Sequence, residues 1–268
     1  MRLMYSHKIR IKFLLPACLI ICFGALVIHG QTSKPTVTYV EIGKSARGRS
    51  IVATVIGGGK RRVVVIGGIH GDEQSSSILA KALAATVVRD PITNGPTLII
   101  LPDANPDGLV DSTRVNASGV DINRNFPSSS WRSEYPDSNH YPGTEPASEP
   151  ETRAVIDLIK RYPPDMLITI HAALGCMNWD GPGSEMAALM ASVNGYPLCQ
   201  SLGYETPGSL GTLAGMDMKI PTVTIELRGS PAGDLVRENL PALRAALAQY
   251  SDSTETPPTV KTAEESKN

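Results

Sequence analysis

Cysteine is scarce. Of the four in 268 residues, Cys18 and Cys22 lie in an apolar N-terminal run, which leaves Cys176 and Cys199 for the rest of the chain. One pair supplies at most one cross-link, and it reads equally well as a disulfide staple or as two buried thiols. Net charge is nearly absent as well: the formal value is -1 at pH 7, and no run of Lys or Arg follows the first dozen residues. A nucleic-acid partner is thereby excluded, because neutralising a phosphate backbone needs a concentrated basic face. Charged residues make up 19% of the chain and hydrophobic ones 41%. Those proportions exclude a disordered chain and a multi-span membrane protein. No internal repeat is present, and the length suits one large domain better than two.

The one long charge-free apolar run extends from Phe13 to Ile28, behind Arg2, Lys8, Arg10 and Lys12. A basic start before such a run is an export signal. It is short for a bilayer-spanning helix of about 20 residues, and Pro16 interrupts it. A signal peptide over residues 1–30, cleaved near Gly30, is therefore expected, with an uncleaved anchor as the alternative. Either way the body, residues 31–250, would be periplasmic or extracellular and would touch a membrane only through that segment. From Ser251 to Asn268 the composition turns to Ser, Thr, Glu, Pro and Lys, as in a disordered tail.

Within the body, runs rich in β-branched residues alternate with helical patterns. Arg62 to Ile66, Thr97 to Leu101, Met166 to Ile170 and Thr222 to Ile225 read as strands buried on both faces, and Val37 to Ile42 with Ile51 to Ile56 as an edge hairpin or meander. Helices are expected near Glu73 to Arg89, Pro150 to Tyr162, Glu185 to Asn194 and Leu235 to Tyr250, the second with Ser148 and Glu151 as a capping box. This alternation predicts an α/β domain whose mixed or mostly parallel sheet is sandwiched between helices. The polar stretch from Pro127 to Ser148, with Trp131, Tyr135, His140 and Tyr141, is longer than a simple connector and suits a lid or binding surface.

Histidine is also sparse. Of five, His7 and His29 belong to the leader, leaving His70, His140 and His171. His70 and Glu73 flank a Gly-rich turn between a strand and a helix, and at that spacing an imidazole and a carboxylate can converge on one ion. His171 closes the Met166 strand, at the edge of the sheet where open α/β folds place ligands. A His/Glu/His set with a fourth position open is the pattern of a catalytic zinc. Glu226 ends the Thr222 strand. A carboxylate there could exchange protons with water and a leaving amine, or simply pair with Arg228. Asn123 and Arg124 follow a glycine turn in Arg114-Val115-Asn116-Ala117-Ser118-Gly119-Val120-Asp121-Ile122-Asn123-Arg124-Asn125-Phe126. They read as a clamp for an anionic group or as a solvated loop.

In order, His70-x-x-Glu73, Gly119-Val120-Asp121-x-Asn123-Arg124-Asn125, His171 and Thr224-Ile225-Glu226-Leu227-Arg228 resemble the zinc carboxypeptidases of the funnelin type, over nearly all of Val37 to Tyr250. The resemblance implies a three-layer α/β/α fold with a mixed, largely parallel twisted sheet, and one zinc ion held by His70, Glu73 and His171. It implies that Glu226 is the general base, that Arg114 stabilises the oxyanion, and that Asn123 and Arg124 bind the substrate carboxylate. Asp121 would orient a histidine ligand, Tyr204 would cap the substrate, and Leu210 would help line the side-chain pocket and argue against a basic side chain there.

Within that family the chain is most similar to bacterial murein-peptide amidases. The likeness rests on Asn105-Pro106-Asp107-Gly108, Gly119 to Pro127, Ser148-Glu149-Pro150-Glu151-Thr152 and Gly203-Tyr204-Glu205-Thr206-Pro207-Gly208-Ser209. It implies a small peptide substrate, cut between γ-D-glutamate and meso-diaminopimelate, and a monomer or small homo-oligomer. A broad secreted carboxypeptidase and an amidohydrolase of N-acyl amino acids would use the same zinc set. A non-catalytic peptidoglycan-binding protein would be expected to lose the ligands or Glu226, and this chain retains them.

Overall fold

The computed structural model describes residues 34–252. The expected leader and all of the expected tail beyond Asp252 lie outside them. No helix among the described residues is long and apolar enough to cross a membrane. The strands are β1 (Val37–Lys44), β2 (Ser50–Ile56), β3 (Arg62–Ile66), β4 (Thr97–Leu101), β5 (Met166–Ala172), β6 (Cys176–Asp180) and β7 (Thr222–Leu227). The helices are α1 (Gln74–Arg89), α2 (Pro106–Asp111), α3 (Pro150–Arg161), α4 (Ser184–Asn194) and α5 (Ala232–Gln249).

All seven strands form one sheet in the order β1-β2-β4-β3-β5-β7-β6. Pairings β3–β4, β3–β5 and β5–β7 are parallel, whereas β1–β2, β2–β4 and β6–β7 are antiparallel. The sheet is thus evenly mixed, and the expected parallel character belongs to its four central strands. Their apolar runs are buried on both faces. Val63, Val65, Ile168, Ile170, Val223 and Ile225 pack under α1, α4 and α5, while Val64, Ile66, Ile99 and Leu167 pack under α3. Helices cover both faces because parallel connections must cross over the sheet.

Two elements have no strong sequence signal. Edge strand β6 carries Cys176-Met177-Asn178-Trp179-Asp180, which lacks both a β-branched run and clean alternation. Helix α2 is too short for periodicity, although Asn105 caps it by accepting the Gly108 N–H at 2.9 Å. The capping box expected at α3 does not form, since Glu149 rather than Ser148 stands at the N-cap. Ser148 Oγ instead donates to Glu149 Oε1 at 2.8 Å, and Glu151 reaches away to the Ala46 N–H at 2.9 Å.

Because β3, β5 and β7 run parallel, their carboxyl ends meet at one rim. His70 lies just past β3, His171 on β5 and Glu226 on β7, and the last two are direct register partners. The His70 loop is held by close backbone packing. A Cβ on Gly71 would stand 1.9 Å from the Gly108 carbonyl carbon, and Asn105 Nδ2 donates to the Ile69 carbonyl at 3.3 Å. Gly71→Ala is therefore expected to lower stability by roughly 1–3 kcal/mol, read as a Tm fall of roughly 2–12 °C. Unchanged melting would show that this approach is not tight.

Candidate active site

Glu73 sits between two imidazoles. Its Oε1 lies 2.7 Å from His70 Nδ1 and its Oε2 3.0 Å from His171 Nδ1. The two Nδ1 atoms are 3.2 Å apart, and ligand atoms of all three buried residues fall within 4.8 Å of one another. Two imidazoles and a carboxylate converging on one point are a donor set that fits a single zinc ion with one position left open. On its far side His70 Nε2 meets Asp121 Oδ1 at 3.1 Å. That contact orients the ring so that Nδ1 faces the cluster.

Burial alone would lower the His70 pKa, but Glu73 and Asp121 outweigh it and push it up to about 9. Burial would raise Glu73 and Asp121, yet their histidine partners hold both well below the usual carboxylate range, with Arg114 adding to the effect at Asp121. Glu226 behaves differently. Burial raises it, and the histidine and arginine charges around it only partly oppose that. Its carboxylate makes no side-chain hydrogen bond or ion pair with the other described residues, and it lines the same cavity of about 100 Å³ as the His/Glu/His set.

Arg114, Asn123, Arg124 and Tyr204 line that cavity too. Arg114 is held by Asp121 Oδ2, at 3.1 Å from Nε and 3.0 Å from Nη2, while its Nη1 stands 3.2 Å from His70 Nδ1. Asn123 Oδ1 accepts the Leu210 N–H at 2.9 Å, leaving its amide donors toward the cavity. Arg124 spends one donor on the Asn123 carbonyl at 2.8 Å, and no other described residue engages its fork, which can grip an anion. Leu210 departs from expectation. It is 1% exposed, inside the core with Phe126 and Ala214, so it contributes a backbone donor and no pocket wall. His140 stands outside the His/Glu/His cluster, against Asp137 at 3.0 Å, and lines an adjoining cavity with Arg124 and Tyr204. Cys176 and Cys199 are both free thiols.

The asparagines around the clamp hold its loops. Asn116 Oδ1 accepts the Ser118 and Val120 N–H groups, each at 3.0 Å, and its Nδ2 donates to Glu149 and Glu151 at 2.8 and 2.9 Å. Asn125 Nδ2 reaches the Pro142 carbonyl at 2.7 Å and Ser148 Oγ at 2.9 Å, tying the long 127–148 stretch to the clamp. Gly208 has φ +68°, and a Cβ there would stand 2.1 Å from the Arg124 carbonyl oxygen. Only glycine lets the Tyr204 loop dock so closely. The polar residues Asn116, Asn125, Glu149 and Glu151 bear no catalytic signature in sequence, and their sole signal was membership of the quoted motifs.

A family model for zinc carboxypeptidases matches residues 26–212. Murein peptide amidase A of Escherichia coli strain K12 is 34% identical over 174 residues, covering 61% of this chain and 69% of that protein. Its namesake from Vibrio campbellii is 30% identical over 202 residues, covering 71% of this chain and 79% of that protein. The crystal structure of the murein-tripeptide amidase from Escherichia coli O157 aligns with a TM-score of 0.67 at 28% identity, covering 81% of this chain and 94% of that one. Glu226 lies past the family match, and its register with His171 on β5 is what brings it to the site.

The cluster sets three expectations. His70 must lose its proton to ligate a metal. Apparent zinc affinity, measured with a competing chelator, should therefore rise by roughly tenfold per pH unit below about 9 and level off above it. In the metal-free chain the raised His70 pKa adds stability that is complete below the unfolded value of 6.5 and lost as pH rises through about 9. Asp121→Asn should weaken zinc binding by about 10- to 100-fold. Unaltered affinity would separate Asp121 from the metal centre.

Proposed function

The chain belongs to the zinc carboxypeptidase family, and from that premise we propose that it hydrolyses the amide bond preceding a residue with a free carboxylate. The substrate is γ-D-glutamyl-meso-diaminopimelate in peptides derived from peptidoglycan, and with the expected leader the enzyme acts outside the cytoplasm. The observation that carries this reading is one shared cavity: the His/Glu/His set, the unpaired Glu226 carboxylate and the free donors of Asn123 and Arg124 all open onto it.

Zinc held by His70, Glu73 and His171 would supply Lewis acidity, acidifying water toward a pKa of about 7 and polarising a carbonyl. The Arg124 fork and the Asn123 amide bind the carboxylate of the residue to be released, which fixes the scissile bond relative to Glu226. Glu226 takes a proton from water and returns it to the departing amine. Burial suits it to this role by moving its carboxylate toward neutral pH. Arg114, steadied by Asp121 and adjacent to His70, sets a fixed positive charge where the carbonyl oxygen becomes anionic. Tyr204, half-exposed in the mouth of the cavity, can close over bound peptide and exclude water.

Zinc-loaded protein should release meso-diaminopimelate from L-Ala-γ-D-Glu-meso-diaminopimelate, identified by mass. Cleavage of α-linked peptides alone would remove the murein reading. Glu226→Gln should lower kcat by about 10²- to 10⁴-fold with zinc content unchanged, and near wild-type turnover would displace Glu226 as the base.

A further inference from the structure

The sequence allowed Glu226 to pair with Arg228, and strand geometry puts that pair within reach. Arg228 directly follows β7. Two residues on from Glu226, it continues the parity of the same sheet face at a rise of roughly 7 Å, which an extended arginine side chain spans.

The side chain instead turns toward α4 and α5. Its guanidinium carbon lies 4.4 Å from the centre of the Tyr196 ring. Nη1 stands 3.3 Å from Glu238 Oε1, and Nη2 donates to the Gly195 carbonyl at 3.4 Å. Gly175 has φ +69°, and a Cβ there would stand 3.0 Å from Arg228 Cγ, so glycine keeps this path open.

Tyr196 is itself fixed. It is buried with the apolar cluster under α4 and α5, and its N–H donates to Asn194 Oδ1 at 3.1 Å. Its hydroxyl donates to Glu238 Oε2 at 3.1 Å and accepts the Asn239 amide at 3.2 Å and the Arg228 N–H at 3.3 Å. That exhausts the bonding capacity of a phenol. Asn194 Nδ2 donates to Asn239 Oδ1 at 2.9 Å, closing the network between the two helices.

Arg228 is exposed, and each of its contacts is individually weak. A free carboxylate two residues away competes for it, because a charge-assisted bidentate pair is stronger than either contact. Such a pair would occupy the oxygens that must take a proton from water.

We infer that Tyr196, with Glu238, is a positioning residue that holds Arg228 on the α4–α5 side of β7 and so leaves the Glu226 carboxylate open to act as base. The inference rests on the role proposed above for Glu226. Tyr196 touches neither metal ligand nor peptide and acts through Arg228 alone.

Tyr196→Leu removes both the ring face and the hydroxyl. With zinc loaded, it should lower kcat by roughly tenfold or more with KM little changed. The substrate is L-Ala-γ-D-Glu-meso-diaminopimelate, or an α-linked acyl dipeptide where wild type cleaves only that class. Tyr196→Phe combined with Glu238→Gln keeps the core volume and should show a smaller loss of the same kind. Adding Arg228→Gln to either background should restore kcat to within about threefold of Arg228→Gln alone, which itself turns over like wild type. A loss that Arg228→Gln does not restore, or full turnover in both backgrounds, overturns the assignment. Crystal structures of the zinc-loaded variants decide independently of activity: Arg228 should lie within hydrogen-bond distance of Glu226, and Arg228 still directed at Gly195 in every folded variant overturns the inference. Turnover surviving in Glu226→Gln would displace the base while leaving that structural outcome to decide where Arg228 is held.

Discussion

One carboxylate joins two strand ends. Glu73 accepts from His70 through one oxygen and from His171 through the other, and the second oxygen also takes the Ala172 N–H at 3.1 Å. The loop after β3 and the end of β5 are therefore drawn to a single point, although 98 residues separate Glu73 from His171 along the chain. Burying three ionisable side chains this way is unfavourable unless each is paired. The arrangement leaves both Nδ1 atoms and a carboxylate converging, which is where a divalent cation would be received.

Around that point the chain makes unusually close backbone contacts, and glycine permits each of them. Gly71 lies on Gly108, and Gly208 lies on the Arg124 carbonyl. The first fixes the His70 loop against α2, and the second fixes the Tyr204 loop against the clamp. Asparagines complete the frame by acting as caps and ties: Asn105 at α2, Asn116 within the turn before Asp121, and Asn125 across the 127–148 stretch. Phe126, fully buried beside the clamp, anchors the same segment with about 1.5–3 kcal/mol of apolar burial.

The site's charges fall into two groups. Asp121, Arg114, His70 and Glu73 form a paired network in which each charge is held by another. Among the described residues Glu226 and Asp180 have no partner, and burial moves both upward. Paired groups orient, whereas unpaired ones are available to water or substrate. That division separates the residues that build the centre from those that meet the peptide.

Much of this was legible in sequence. The four central strands announce themselves as β-branched runs because they are buried on both faces, and a short run ending in histidine or glutamate points to a rim. The candidate ligands, the clamp and the base could thus be named from local pattern and family resemblance. Sequence was silent on β6, an edge strand whose mixed polar and apolar residues follow no period, and on the glycine contacts, which depend on backbone brought from elsewhere. It also misjudged Leu210, since whether an apolar residue lines a cavity or fills the core depends on the element packed above it. Local order comes from neighbours along the chain, but the register that sets Glu226 beside His171 and Asp180 beyond them exists only once distant strands have paired.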